Sequence, residues 1–159
     1  MILVTLGTQD KTFIRLLEKI DDLIEKGLIK DHVVVQAGYT KYHSSNMEVF
    51  DLISQDDFNS LMAKADIIIT HGGVGSIISA LEKGKKVIAV PRLAKYGEHI
   101  NDHQTQIVSK FSSLGYLIGL QEVDELETAL KRIKMFKPKP FIHDNSKMLY
   151  LVSKLIDEC

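Results

Sequence analysis

The feature that most constrains this chain is a series of short, almost unbroken apolar runs separated by segments of helical period. The runs at 66–71 and 86–90 carry Ile67-Ile68-Ile69 and Val87-Ile88-Ala89-Val90. A strand with one wet face alternates apolar and polar residues, whereas a continuous run suits a strand covered on both faces of a parallel sheet. Parallel neighbours need crossover connections of a dozen or so residues, and these turn right-handed almost without exception. The expected fold class is therefore α/β, an open, doubly wound, Rossmann-like parallel sheet.

The other elements fit the same scheme. Residues 2–6 read as a first strand, stopped at Gly7-Thr8. Between 12 and 27, Phe13, Leu16, Leu17, Ile20 and Ile24 share one helix face, and Gly27 is a natural stop. Residues 32–36 and 47–52 read as two further strands. Ser54 or Asp56 can cap a short helix carrying Phe58, Leu61 and Met62. Helices are expected at about 76–83, 102–114 and 123–135, with a short strand at 116–119 between the last two. Pro138 and Pro140 mark 136–144 as a boundary. The chain then divides into a domain at 1–144 and a last helix at about 145–157 within 145–159.

At 159 residues the chain has the size of one domain, large enough to bury a core without staples. Its apolar fraction of 45% and charged fraction of 26% exclude a disordered tail, a fibrous repeat and a disulfide scaffold. A formal charge of −1 speaks against a nucleic-acid binder that neutralises many phosphates. Cys159 has no cysteine partner, which suits a reducing compartment. No run approaches the ~20 apolar residues that cross a bilayer, and Met1 leads straight into a strand without room for a signal peptide. A soluble, cytoplasmic domain is the expectation.

In such sheets ligands bind beyond the carboxyl ends of the strands, where the strand order reverses. The strongest candidate there is His71-Gly72-Gly73-Val74-Gly75-Ser76, between a buried strand and a helix. Glycines let the backbone turn sharply and approach a ligand, and a helix N-terminus offers free amides and about half a positive charge to an anion. Thr70, His71 and Ser76 add donors, so the segment reads as a phosphate site; a tight turn with a packing histidine is the plainer alternative. Gly7-Thr8-Gln9 is a connector or a second ligand loop beside it. The third candidate is the stretch 91–104, which holds Arg92, Glu98, His99, His103 and Gln104. His99 and His103 have the i, i+4 spacing of metal ligands, but Pro91 and Gly97 confine the helix to its end and no cysteine supports zinc. Hydrogen-bonders facing a polyhydroxylated ligand suit the mixture better. The sequence contains no Asp-x-Asp pair of the kind that holds a nucleotide diphosphate through a divalent ion.

The run 70–104, with Gly84, Pro91 and His103-Gln104 at their spacing and Leu6-Gly7-Thr8 upstream, resembles the donor-binding half of family 28 glycosyltransferases. It is most similar to short, split members: the catalytic subunit of the UDP-GlcNAc transferase of lipid-linked oligosaccharide synthesis, and bacterial capsule and exopolysaccharide transferase subunits. The resemblance implies a single half of a GT-B enzyme. It implies that Gly7, Thr8, His71, Gly72, Gly73, Gly75, Ser76 and Arg92 line the donor site, and that His103 and Gln104 meet donor sugar hydroxyls. One departure stands out, since the family's ribose-binding glutamate is Ser79 here, with Glu82 one turn further on. The implied substrate is a UDP-sugar, with no cofactor and no metal. The implied partner is a membrane-anchored acceptor-domain subunit presenting a lipid-linked sugar, which would hold the chain at the cytoplasmic face of the membrane.

A two-domain transferase needs two Rossmann-like halves, and at ~100–150 residues per domain this chain supplies one. In the last helix, Met148, Leu149, Leu151, Val152, Leu155 and Ile156 form a stripe that either docks on the partner or packs on its own sheet. The orphan docking face also favours a homodimer of the isolated chain. Lys131, Arg132, Lys134, Lys137 and Lys139 read as a solvated helix end or as a contact with anionic headgroups. The reaction expected is inverting transfer of a hexose, with preorganised donors stabilising the leaving diphosphate and a general base at Glu98, at His99 or on the partner. A non-catalytic sugar-nucleotide-binding subunit is one alternative. An NAD(P)-dependent oxidoreductase is another, disfavoured by Ile78 at the third glycine position of the Rossmann fingerprint and by a glycine loop that follows a late strand.

Overall fold

The computed structural model describes residues 1–141, so the expected last helix and the whole of its apolar stripe lie outside the described residues. Six strands form one sheet: β1 (Ile2–Thr5), β2 (Val33–Gln36), β3 (Glu48–Phe50), β4 (Ile67–His71), β5 (Lys86–Val90) and β6 (Ile118–Gly119). Their order is β3-β2-β1-β4-β5-β6, and every neighbouring pair is parallel. Strand order therefore reverses between β1 and β4, where the register sets Thr5 beside Thr70. That pair sits at the carboxyl ends of both strands and fixes where a ligand crevice opens.

Among the described residues five helices cover the sheet: α1 (Ile14–Glu25), α2 (Gln55–Lys64), α3 (Val74–Glu82), α4 (His103–Ser113) and α5 (Leu126–Ile133). Side chains of a strand alternate between its faces, and the core divides accordingly. Ile2, Val4, Val33, Val35, Ile69 and Ile88 pack with Leu16, Leu17, Ile20 and Leu23 of α1 and with Ala129 and Ile133 of α5. Leu3, Val34, Ile68, Val87 and Ala89 pack on the other side with Met62 of α2, Ile77 of α3 and Phe111 of α4. Each fully buried Leu, Ile or Phe contributes roughly 1.5–3 kcal/mol, so this two-sided burial explains the unbroken apolar strands.

Ser54 caps α2, its hydroxyl accepting from Asp57 N at 3.1 Å. Gly27 takes a left-handed φ of +73° just beyond α1, as its place after the helix required. Three boundaries differ from the sequence reading. Helix α3 begins two residues earlier than expected, with Gly73 as its N-cap. Tyr116 does not join the strand, because its amide donates to Phe111 O at 3.2 Å and closes α4. Helix α5 is preceded by a 3-10 turn at Val123–Glu125, where Glu122 and Glu125 form a reciprocal capping box.

Residues 136–141 of the expected boundary fold back on the domain: Lys139 N donates to Gly115 O at 3.0 Å, and Phe141 meets the Tyr116 ring edge-on at 5.5 Å. The five cationic side chains of 131–139 are all exposed. Among the described residues no helix is long and apolar enough to cross a membrane.

Candidate functional site

A cleft of about 470 Å³ opens at the reversal point. The loop after β1 supplies Gly7, Thr8 and Gln9, and the β4–α3 turn supplies His71, Gly73, Gly75, Ser76 and Ser79. Gln36 from the end of β2 and Leu52, Ile53, Gln55 and Phe58 from the β3–α2 connection complete the wall. Among the described residues no carboxylate and no cation lines it, and the lining is rich in hydroxyl, amide and backbone groups.

The early start of α3 defines what faces this space. The first intrahelical bond runs from Ile77 N to Gly73 O at 3.1 Å, and the N-cap provides no side-chain acceptor. The amides of Val74, Gly75 and Ser76 precede that bond and have no partner within the helix. They point out of the helix start, where the macrodipole adds partial positive charge.

His71 is the hub of the site. It ends β4, is 4% exposed, and its Nε2 lies 3.4 Å from Ser76 Oγ. Burial first, and then the charge of Arg92, pull its pKa down to about 3, so the ring is neutral at physiological pH. Both loops close on this imidazole. A Cβ at Gly7, where φ is +73°, would stand 2.5 Å from His71 Nε2. A Cβ at Gly73 would press on His71 Cε1.

The glycines thus divide by task in a way their clustering did not reveal. Gly7 and Gly73 admit the histidine, and Gly72 admits Gln104, whose Cβ would stand 2.7 Å from an added methyl. Among the described residues a Cβ at Gly75 would meet nothing within 4 Å beyond its chain neighbours and its own helix backbone, although the residue borders the cleft. Gly75 is the glycine whose missing side chain leaves room for a ligand.

The stretch 91–104 behaves otherwise than the sequence suggested. Arg92 is 1% exposed, and its guanidinium donates to Leu6 O at 2.6 Å and Lys11 O at 2.8 Å. It ties the β1 loop down from behind instead of lining the cleft. Burial lowers its pKa only to about 10, so it remains a cation beneath the site. Glu98 is corrected as a candidate base: its carboxylate accepts from Arg15 Nη2 at 3.0 Å, Arg15 Nε at 3.1 Å and Leu93 N at 3.1 Å. With both oxygens engaged and 4% exposure, it is held in the interior.

Gln104 is likewise turned inward, 3% exposed behind His71, so no sugar hydroxyl reaches it in this arrangement. Glu82, His99 and His103 do not border the cleft. His99 is half-buried, its Nδ1 accepts from Asn101 N at 3.3 Å, and desolvation with the nearby Arg92 lowers its pKa. Among the described residues no group of three or more His, Cys, Asp or Glu is gathered as a metal site.

The sequence reading passed over Gln36, Leu52, Ile53 and Gln55. Gln36 is 6% exposed, accepts from Thr5 Oγ1 at 2.8 Å and donates to Gly7 O at 3.1 Å, holding the β1 loop open from the other side. Gln36 ends β2 and the other three follow the carboxyl end of β3, so the rule that located the glycine loop also marks them.

Residues 1–156 match the profile of the glycosyltransferase family 28 C-terminal domain. The UDP-N-acetylglucosamine transferase subunit ALG13 of Candida glabrata is 37% identical over 70 residues, covering 43% of this chain and 33% of that protein. A UDP-N-acetylglucosamine–N-acetylmuramyl-(pentapeptide) pyrophosphoryl-undecaprenol N-acetylglucosamine transferase of Prochlorococcus marinus is 30% identical over 129 residues, 77% of this chain and 34% of that one. The chain therefore spans about a third of the length of these two relatives.

Among solved structures, the solution NMR structure of ALG13 superposes with a TM-score of 0.62 at 21% identity, covering 94% of this chain and 93% of that one. The kitacinnamycin glycosyltransferase gives 0.60 at 20% identity, with 82% of this chain matching 34% of that one. These likenesses show the fold, one Rossmann-like half of a GT-B enzyme. A family match running nearly end to end, on a fold with a cleft at the strand-order reversal, leads to one assignment: the chain belongs to the glycosyltransferase family 28, as its C-terminal domain.

Proposed function

We propose that the chain is the donor-binding subunit of an inverting glycosyltransferase that moves a hexose-type sugar from a UDP-sugar to a lipid-linked acceptor in polysaccharide or oligosaccharide synthesis. The observation that carries this reading is the set of unpartnered amides at Val74, Gly75 and Ser76 facing the cleft. The diphosphate lies against those amides, with the His71 imidazole and the Ser76 hydroxyl as further donors. The cation at Arg92 raises the local potential from beneath. Leu52, Ile53 and Phe58 offer apolar surface to the base, and Ser79 stands within reach of the ribose side. The names of the relatives make UDP-N-acetylglucosamine the first donor to test.

Charge grows on the leaving diphosphate as the glycosidic bond breaks. Donors fixed beforehand stabilise that charge without reorganising. The chain holds the donor through its own hydrogen-bond donors, since among the described residues its cleft presents no carboxylate to bridge through a cation. With Glu98 committed to Arg15 and Leu93, the base that deprotonates the acceptor hydroxyl comes from a membrane-anchored partner, which also supplies the acceptor half of the cleft.

The test is transfer from labelled UDP-N-acetylglucosamine and UDP-glucose to lipid-linked acceptor. It compares the chain alone, the membrane-anchored subunit alone, and the two purified together. Transfer by the pair and by neither half is the predicted result. Equal transfer by the chain alone overturns the need for a partner, and donor uptake by the pair without transfer leaves a binding subunit only.

A further inference from the structure

Gln104, the second residue of α4, makes three contacts that together fix a proton on another side chain. Its Oε1 accepts from Gly72 N at 3.1 Å and from Arg92 N at 3.0 Å. Backbone amides only donate, so the amide atom between them is the oxygen; the flipped side chain would set an NH₂ against two N–H groups. The nitrogen, Nε2, is thereby aimed at His71 Nδ1, 3.3 Å away. An NH₂ group only donates, which requires Nδ1 to be the bare, accepting nitrogen.

A neutral imidazole with a bare Nδ1 carries its proton on Nε2. That atom is the one turned toward the Gly7 loop and Ser76. We propose that Gln104 is a positioning residue that locks His71 in its Nε2–H tautomer, so that the ring presents a hydrogen-bond donor to an anionic oxygen in the cleft. The role of that donor toward a diphosphate rests on the proposed function; the tautomer does not, and the two are tested apart.

Gln104→Glu is close to isosteric. One carboxylate oxygen can still receive Gly72 N and Arg92 N, while the other becomes an acceptor facing Nδ1. With that carboxylate ionised the ring must protonate Nδ1, whereas a carboxyl that keeps its own proton donates it to Nδ1 and mimics the glutamine.

Long-range proton–nitrogen correlation spectra of the ¹⁵N-histidine-labelled chain, recorded without ligand at neutral pH, read this directly. The expected pattern for His71 is a pyridine-type nitrogen at Nδ1 and a pyrrole-type nitrogen at Nε2. In Gln104→Glu the Nδ1 signal becomes pyrrole-type, and the Kd for UDP rises about tenfold, the loss of one hydrogen bond to a charged group. Gln104→Met, which leaves Nδ1 with no partner, gives a mixture of tautomers and serves where the glutamate variant does not fold. A wild-type chain protonated on Nδ1, or a Gln104→Met chain keeping the pure Nε2–H ring, overturns the proposal. The predicted tautomers without any UDP uptake would uphold the role of Gln104 and count against the function instead.

Discussion

Gly75→Ala is expected to fold more stably than the parent chain and to bind UDP at least ten times more weakly. The residue lies in the first turn of α3 with a helical backbone, and among the described residues a Cβ there meets nothing within 4 Å beyond its chain neighbours and its own helix backbone. Where the native conformation accepts alanine, removing glycine's freedom in the unfolded chain stabilises by about 0.4–1 kcal/mol. The same methyl stands at the free amides of the helix start and holds a phosphate oxygen away from them. A hydrogen bond to a charged group contributes about 1.5–3 kcal/mol, so losing one weakens binding roughly 10- to 100-fold. Opposite signs in thermal unfolding and in calorimetric UDP titration are the expected result. Unchanged affinity would show that nothing binds against this turn.

Arg92→Met is expected to cost the most stability, about 3–5 kcal/mol. Methionine retains volume and apolar contact with Phe13, over whose ring the guanidinium lies at 5.3 Å. It removes the donors to Leu6 O, which is buried, and to Lys11 O, which is partly buried, leaving both carbonyls without this partner. Each such orphan costs about 1–3 kcal/mol. The Glu98 carboxylate also loses a nearby cation and keeps only Arg15. Against a typical 5–15 kcal/mol of total stability the change is severe. Urea unfolding measures it, and a shift below about 1 kcal/mol would mean that the β1 loop holds itself in place.

The framework was legible because it is written in local patterns. Ile67-Ile68-Ile69 and Val87-Ile88-Ala89-Val90 announce strands covered on both faces. The stripe Leu16, Leu17, Ile20 announces a helix on the sheet, although Leu23 and not Ile24 is the buried residue at its end. From alternation alone the parallel sheet follows, and with it the edge where ligands enter. The His71 segment was legible for the same reason: a buried strand, three glycines and a helix start are adjacent in the chain.

The stretch 91–104 misled because its partners are remote. Arg92 bonds residues 86 and 81 positions away, and Glu98 bonds Arg15 at a separation of 83. Read locally, a cluster of charged and amide side chains after a strand resembles a set turned toward a ligand. In the fold it is the buttress behind the glycine loop, and Gln104 fills the space that the absent side chain of Gly72 leaves. Composition shows that such groups are present and not which way they face. Gln36 is illegible for another reason: a glutamine ending an apolar strand carries no local sign that its amide will bond Thr5 and Gly7 of a neighbouring strand and loop.

The central claim is that the β1 loop and the first turn of α3 together grip a nucleotide diphosphate through their own donors. Amide proton–nitrogen spectra of the labelled chain, titrated with UDP in the presence of EDTA, test it most directly. Saturable shifts concentrated at Gly7, Thr8, Gly73, Gly75 and Ser76, with uridine alone giving far weaker changes, are the predicted result. A spectrum unmoved by UDP, or shifts gathered on residues away from the β1–β4 reversal, would contradict it.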